Sequence, residues 1–441
     1  MKKMKKWMLF LLSGLVATTL LGAAACGDDD DDDDATSEET AEATEAETEE
    51  AETPAATGES EEPTEEATEE AEEPAEPSPG VTDSEVVIGT HFPLSGPAAI
   101  YAPIVDSVGA YFESAGPING RTINHIVRDD AYTPSQTVEA TRQLIEQDQI
   151  FALMAGLGTP THAQVFDLLA EEGIPDLLIA SGAVLWTDPI VETAFAANPN
   201  YVKEAEILGQ YAVDQGFTTA AIIYQNDDFG NEGREGFLNS TEGSIEVVSE
   251  QTYEANARDV QSQAINAIAD NPEVLFVYAT PVETGSAINA ARSNGFTGQI
   301  IISTVAATDF LGQLTGTTDN LEGTVTVGYL KFLSQSDDPD VQAHVELMGA
   351  NGIEPSNFTI YGQALAEVFI EILANAEEPL TRQSLVESAE AVQGFVCSVC
   401  SGEVNLGPDD HRVFETLVLA QFSGGQFVQL EGAEPVADEG N

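Results

Sequence analysis

The sequence predicts an α/β protein made of two lobes in series, and three observations carry that expectation. Beyond an N-terminal leader and an acidic tract, Val81 to Asn441 still supplies 361 residues, more than a single hydrophobic core usually sustains. Short apolar runs alternate with helical stretches, which is the pattern of parallel β–α winding. That pattern stops at "NPNYVKEAEILGQYAVDQGF" and then restarts.

The leader comes first. Lys2, Lys3, Lys5 and Lys6 precede an apolar segment from Trp7 to about Ala25 that ends in "LGAAAC", the charged, apolar and small-residue order of an export signal. It resembles a bacterial lipoprotein signal of residues 1–26 whose lipidated cysteine is Cys26, although Ala23 stands where that family prefers Leu; an uncleaved membrane anchor is the alternative. Either way the rest of the chain is expected to be extracytoplasmic, and lipid-anchored to the cell membrane on the first reading.

The linker, residues 27–80, carries 25 acidic residues and no basic or aromatic ones. It cannot bury enough apolar surface to offset its ordering entropy, so a disordered, self-repelling tether is expected rather than a calcium-binding tract. Of the chain's 77 acidic and 14 basic residues, 25 and 4 lie before Val81, leaving 52 and 10 in the remainder. Such a field repels nucleic acid and anionic lipid, and it is similar to the acidic surfaces of salt-adapted proteins.

In the first half, "EVVIGTHF", "TINHIVRD", "IFALMAGL" and "PDLLIAS" read as strands, with helices expected from Ile100, Pro134 and His162. In the second, "TTAAIIYQN", "SIEVVSEQTY", "EVLFVYAT" and "GQIIISTV" alternate with helices near Glu232, Arg258 and Thr284. Helical segments at 340–349 and 356–374 follow, then "FVCSVCSGEVNLG" and a hairpin turning at Gly424-Gly425. A terminal hairpin cannot form a third lobe, so it is expected to join an existing one.

The stretch "MAGLGTPTHAQVFDLLAEEGIP" runs from a strand through Gly-x-Gly into a helical pattern. Unpaired amides at a helix start receive anions, phosphate and carboxylate alike. Outside the cytoplasm nucleotides are scarce, which favours a small carboxylate.

These residues resemble a known family. "IGTHFPLSGPAAIYA", "RDDAYTPSQTVEATRQLIEQDQIFALMAGLGTPTHAQVFDLLAEEGIPDLLIASGA", "NPNYVKEAEILGQYA", "YQNDDFGNEG" and "LGPDDHR" are similar, in that order, to the Leu/Ile/Val-binding proteins, type I periplasmic binding proteins that deliver solutes to ABC transporters. The resemblance implies two Rossmann-like lobes joined by a three-strand hinge near 198–200, 326–328 and 411–414. Lobe I would comprise 84–199 plus 328–411 and lobe II 200–327 plus 412–432, closing on the solute as a hinge.

It also implies a site. Thr159 matches the hydroxyl residue that holds the ligand's α-carboxylate, with Thr161 and His162 beside it; a plain helix N-cap is the alternative. Ser181, Gly182 and Ala183 match a second contact loop, or form an ordinary Gly turn. Tyr101 matches an aromatic wall, or is a core tyrosine. In lobe II, Phe229 and Thr280 fall where the family often has aromatics. The stretch 304–306, where amino acid binders carry an acid for the ammonium, has none, and an unpaired buried ammonium is costly. Asp309 and Glu283 are possible substitutes but read more simply as helix-start residues. An amino-acid-like, carboxylate or amide solute therefore remains open.

Cys397 and Cys400 in "CSVC" are expected to form a disulfide in this compartment; no helix start is apparent to activate a thiol, and His411 alone is weak support for zinc. Catalysis is not expected. There is no third dinucleotide-binding glycine, no Gly-x-Ser-x-Gly, and no nucleophile visibly paired with His91, His125, His162, His344 or His411; Asp129-Asp130 and Asp227-Asp228 read as solvated or capping acids. No cofactor or metal is expected. The expected partners are a small-molecule solute and ABC permease subunits, with the protein itself a monomer; a sensor domain signalling through a partner protein is the alternative.

Overall fold

The structure is a computed structural model that describes residues 78–437. The leader, Cys26 and most of the acidic linker lie outside the described residues.

Five strands form the first sheet: β1 (Glu85–Phe92), β2 (Thr122–Asp129), β3 (Ala152–Met154), β4 (Asp176–Ile179) and β5 (Ala194–Ala196), in the order β2-β1-β3-β4-β5 and all parallel. The second sheet begins with β6 (Thr219–Gln225), β7 (Glu246–Tyr253), β8 (Val274–Tyr278), β9 (Gln299–Ile302) and β10 (Val325–Gly328), ordered β7-β6-β8-β9-β10, so the first winding is repeated. Two α/β lobes result. Helices cover both faces of such sheets, which is why β8 is apolar along its length, β4 is apolar after Asp176, and both are buried at every position.

The terminal hairpin, β11 (Thr416–Ser423) and β12 (Gln426–Gln429), extends the second sheet antiparallel to β10. After β10, however, the chain first returns to the other lobe. Helix Asn357–Asn375 packs on helix Pro103–Ala115, where the Ser107 hydroxyl donates to the Thr359 carbonyl at 2.7 Å. It comes close because Gly362 has no side chain; a Cβ there would lie 2.2 Å from the Ile104 carbonyl oxygen.

The lobes are joined by three adjacent crossings: after β5, after β10, and at residues 411–414. The last runs beside β5, with Val413 donating to the Ala196 carbonyl and Phe414 to that of Ala197 at 2.9 and 3.1 Å, before continuing into β11. Arg412 ties this bundle together. Its buried guanidinium donates to the Asn198 carbonyl and the Thr187 hydroxyl, both at 2.7 Å, and to the Gly182 and Ala183 carbonyls at 3.4 Å.

One expected helix is broken in two. Residues Thr159–His162 and Phe166–Glu171 are separate, because the Thr161 hydroxyl bonds back to the Leu157 and Gly158 carbonyls and His162 is drawn into the core.

Candidate functional site

In a doubly wound sheet, ligands bind beyond the strand C-termini where the winding reverses direction. Here the two reversal points face each other. Tyr101 follows β1 and Leu157 to Thr159 follow β3; opposite them, Phe229 follows β6, Thr280 follows β8, and Thr304 and Val305 follow β9. Together they line a cavity of about 90 Å³. One water needs roughly 10–15 Å³ of such space, so the cavity suits a solute of fewer than about ten heavy atoms.

The lobes already touch across it. The Tyr101 hydroxyl donates to the Val305 carbonyl at 3.2 Å, and the Asn256 side-chain Nδ2 donates to the Tyr132 carbonyl at 2.6 Å. The Val184 amide donates to the Glu232 carboxylate at 3.1 and 3.2 Å.

Of the residues marked by the sequence, Tyr101, Thr159, Phe229 and Thr280 line this cavity. The Tyr101 ring is buried against Phe358, 5.0 Å between centroids. Thr159 is not an N-cap. Gly158 occupies that position, at φ 101°, and the Thr159 hydroxyl instead pairs with that of Ser181 at 2.7 Å. Ser181, Gly182 and Ala183 sit one layer behind the wall and not in it: Ala180 reaches the cavity, while a Cβ on Gly182 would meet the Pro199 carbonyl oxygen at 2.0 Å. From there Ser181 supports Thr159 through its hydroxyl, and Gly182 packs on the crossing after β5.

The acids proposed for an ammonium are otherwise engaged. Asp309 caps not its own helix but the start of helix Asn357–Asn375 in the facing lobe, accepting from the Asn357 amide at 2.9 Å. Glu283 accepts from the Thr280 hydroxyl. Glu204 accepts from the Thr304 amide at 2.8 Å. Burial raises the pKa of all three, that of Glu204 to about 7, and it pushes Glu232 up to about 8. Among the described residues no carboxylate lines the cavity, and its one cationic side chain, Lys331, is held by Asp338 and Asp340 at 3.0 and 2.8 Å.

Several lining residues carried no local signal. Tyr329 and Phe332 lie just past β10, and Phe358 and Tyr361 on a helix some two hundred residues from Thr159, where an aromatic reads as ordinary core. Tyr132 in "DDAYTP" follows a strand end, as Tyr101 does, and was findable on that ground. The segment behind Tyr329 is braced by the Cys397–Cys400 disulfide loop, whose Val399 carbonyl accepts from the Lys331 amide at 2.9 Å.

The histidines and acids singled out as catalytic candidates are engaged within the core. Both ring nitrogens of His162 are taken, by His91 at 2.8 Å and Asp176 at 2.7 Å, so it has no lone pair free to act as a base. Asp130, expected to be solvated or capping, is instead fully buried against His91. His411 is stacked on Phe195 and tied to the Ala194 carbonyl at 2.8 Å.

A sequence profile described as periplasmic binding protein matches residues 85–426. The chain belongs to that family. As a periplasmic binding protein it works outside the cytoplasm and binds small solutes without transforming them. It is 25% identical over 301 residues to an amino acid binding protein of Pseudomonas aeruginosa, covering 65% of this chain and 78% of that one. Its fold is similar to that of a branched-chain amino acid ABC transporter protein of Thermus thermophilus with bound valine (TM-score 0.73, 19% identity, 81% of this chain and 98% of that one). It is similar, too, to a solute-binding protein of R. palustris in complex with benzoate (TM-score 0.70, 20% identity, again 81% and 98%).

Proposed function

We propose that this periplasmic binding protein, tethered through a lipidated Cys26 and the acidic linker, delivers a small monocarboxylate with an aromatic or branched aliphatic body to an ABC permease. The observation that carries this reading is the cavity wall itself, which is aromatic on both sides, holds the Thr159 hydroxyl, and has no lining carboxylate to meet an ammonium. Leaving a charged group buried without its charge-assisted hydrogen bond weakens binding by about 1.5 to 3 kcal/mol, enough to disfavour a zwitterion against the matching plain acid. The volume favours a ligand of benzoate or leucine size over a long-chain acid. Thr159, oriented from behind by Ser181, is the group assigned to the carboxylate.

The test is mass spectrometry of the solute released from purified protein, followed by a thermal-shift panel. Benzoate and branched short-chain acids are expected to raise the melting temperature more than leucine or valine at equal concentration. A dominant response to leucine or valine would overturn the assignment.

A further inference from the structure

Behind the cavity wall, four buried side chains form a continuous chain. The Asp130 Oδ2 meets His91 Nδ1 at 2.9 Å, His91 Nε2 meets His162 Nδ1 at 2.8 Å, and His162 Nε2 meets Asp176 Oδ2 at 2.7 Å. None of the four is more than 1% exposed. The chain lies directly beneath the loop after β3: a Cβ on Gly156 would stand 2.6 Å from both His91 Nε2 and His162 Nδ1, so the first glycine of "GLG" is required by the histidine pair.

Each of the three contacts needs one proton between its two atoms. Two neutral imidazoles bring only two. We propose that Asp130, His91, His162 and Asp176 are positioning residues that hold one extra proton and through it fix the cavity loop from Gly156 to Thr159. The extra proton lies between His162 and Asp176, where it also compensates Asp176, whose Oδ1 is buried with no hydrogen-bond partner. Burial lowers the pKa of His91, which makes it the neutral member of the pair. The inference does not depend on which solute the cavity takes.

The surroundings contain few competing charges. Asp130 also accepts from the Tyr132 amide and the Thr137 hydroxyl, at 2.9 and 3.1 Å. Asp129 is occupied by the amides of Leu94, Ser95 and Ala131. Phe166 and Trp186 cover His162 with their rings, and Glu232 reaches the Val184 amide beyond them. His125, on β2, bonds Thr90, whose side chain points to the opposite face of the sheet from that of its neighbour His91, since successive strand residues alternate. Glu139, Arg142 and Asp167, on the neighbouring helices, are exposed.

The sign of the pH dependence follows from proton counts. Above the unfolded histidine pKa of about 6.5 the unfolded chain keeps two of these protons and the folded one three, so folding weakens as pH rises, by up to about tenfold in its equilibrium constant per pH unit. Below it the unfolded chain takes up a fourth proton and folding weakens again. The contribution therefore peaks near pH 6.5. Glu204 and Glu232, with raised pKa values, add a decline of their own as pH rises, common to wild type and variant.

Asp176→Asn isolates the extra proton, because the amide N–H itself donates to His162 Nε2. Denaturant unfolding between about pH 7 and 9 is expected to show wild type losing stability relative to Asp176→Asn by up to about tenfold per pH unit. Parallel profiles would overturn the proposal. On the unaltered protein at about pH 7.5, NMR is expected to show three exchange-protected downfield protons from this cluster, and only two would equally overturn it; this reading stands even where the variant fails to fold.

Discussion

Arg412→Ala is expected to lower the free energy of unfolding by about 3 to 5 kcal/mol. The guanidinium is 4% exposed and donates to three carbonyls and a hydroxyl, all on the segments around the crossing after β5. Removing it strands the Asn198 carbonyl and takes a donor from the half-buried Thr187 hydroxyl, while the Gly182 and Ala183 carbonyls keep the Tyr201 and Trp186 amides. It also removes a cation that lowers the pKa of the nearby Glu232 carboxyl, whose charge would then be less compensated. Arg412→Lys should recover only part of the loss, because an ammonium lacks the planar fork that spans several acceptors. Urea unfolding monitored by circular dichroism measures both. A loss below about 1 kcal/mol for the alanine variant would mean that the crossing is held by other contacts.

Tyr101→Ala is expected to weaken solute binding about 30- to 150-fold, the range in which truncated aromatic anchors fall. The ring serves twice. It walls the cavity against Phe358, and its hydroxyl makes a direct bond to the opposite lobe at Val305. Tyr101→Phe separates the two roles, since it keeps the wall and loses only a neutral hydrogen bond worth about 1 kcal/mol, or roughly fivefold in affinity. Titration calorimetry with the solute recovered from the protein reads both variants. Equal losses for Phe and Ala would place the whole effect in the interlobe bond; no loss for either would remove Tyr101 from the site.

Much of the architecture was legible because parallel sheets write themselves plainly: "VLFVY" is apolar throughout, and "DLLI" is apolar after its first residue, since both faces are covered. The restart of the winding after Asn200 announced the second lobe for the same reason. The cavity lining was legible where residues follow a strand end, as Tyr101 and Thr159 do. It was not where the chain returns from far away. Phe358 and Tyr361 reach the cavity from a helix whose place is set by close packing at Gly362, a tertiary fact with no local trace. Which residue of "ASGA" reaches the cavity was not legible, because the sequence does not say which of them Tyr201 and Pro199 will cover. Likewise His91 and Asp130 stand more than thirty residues apart, and only the in-register pairing of β1 with β2 brings them together.

The central claim is that solute binding and lobe closure are one event, since the cavity exists only where residues of both sheets meet. Small-angle X-ray scattering of the protein stripped of solute by unfolding and refolding, then resupplied with the recovered solute, tests it most directly. The radius of gyration should rise on stripping and fall again on resupply, in proportion to occupancy. Superimposable scattering in both states, with calorimetry showing the solute bound, would contradict it.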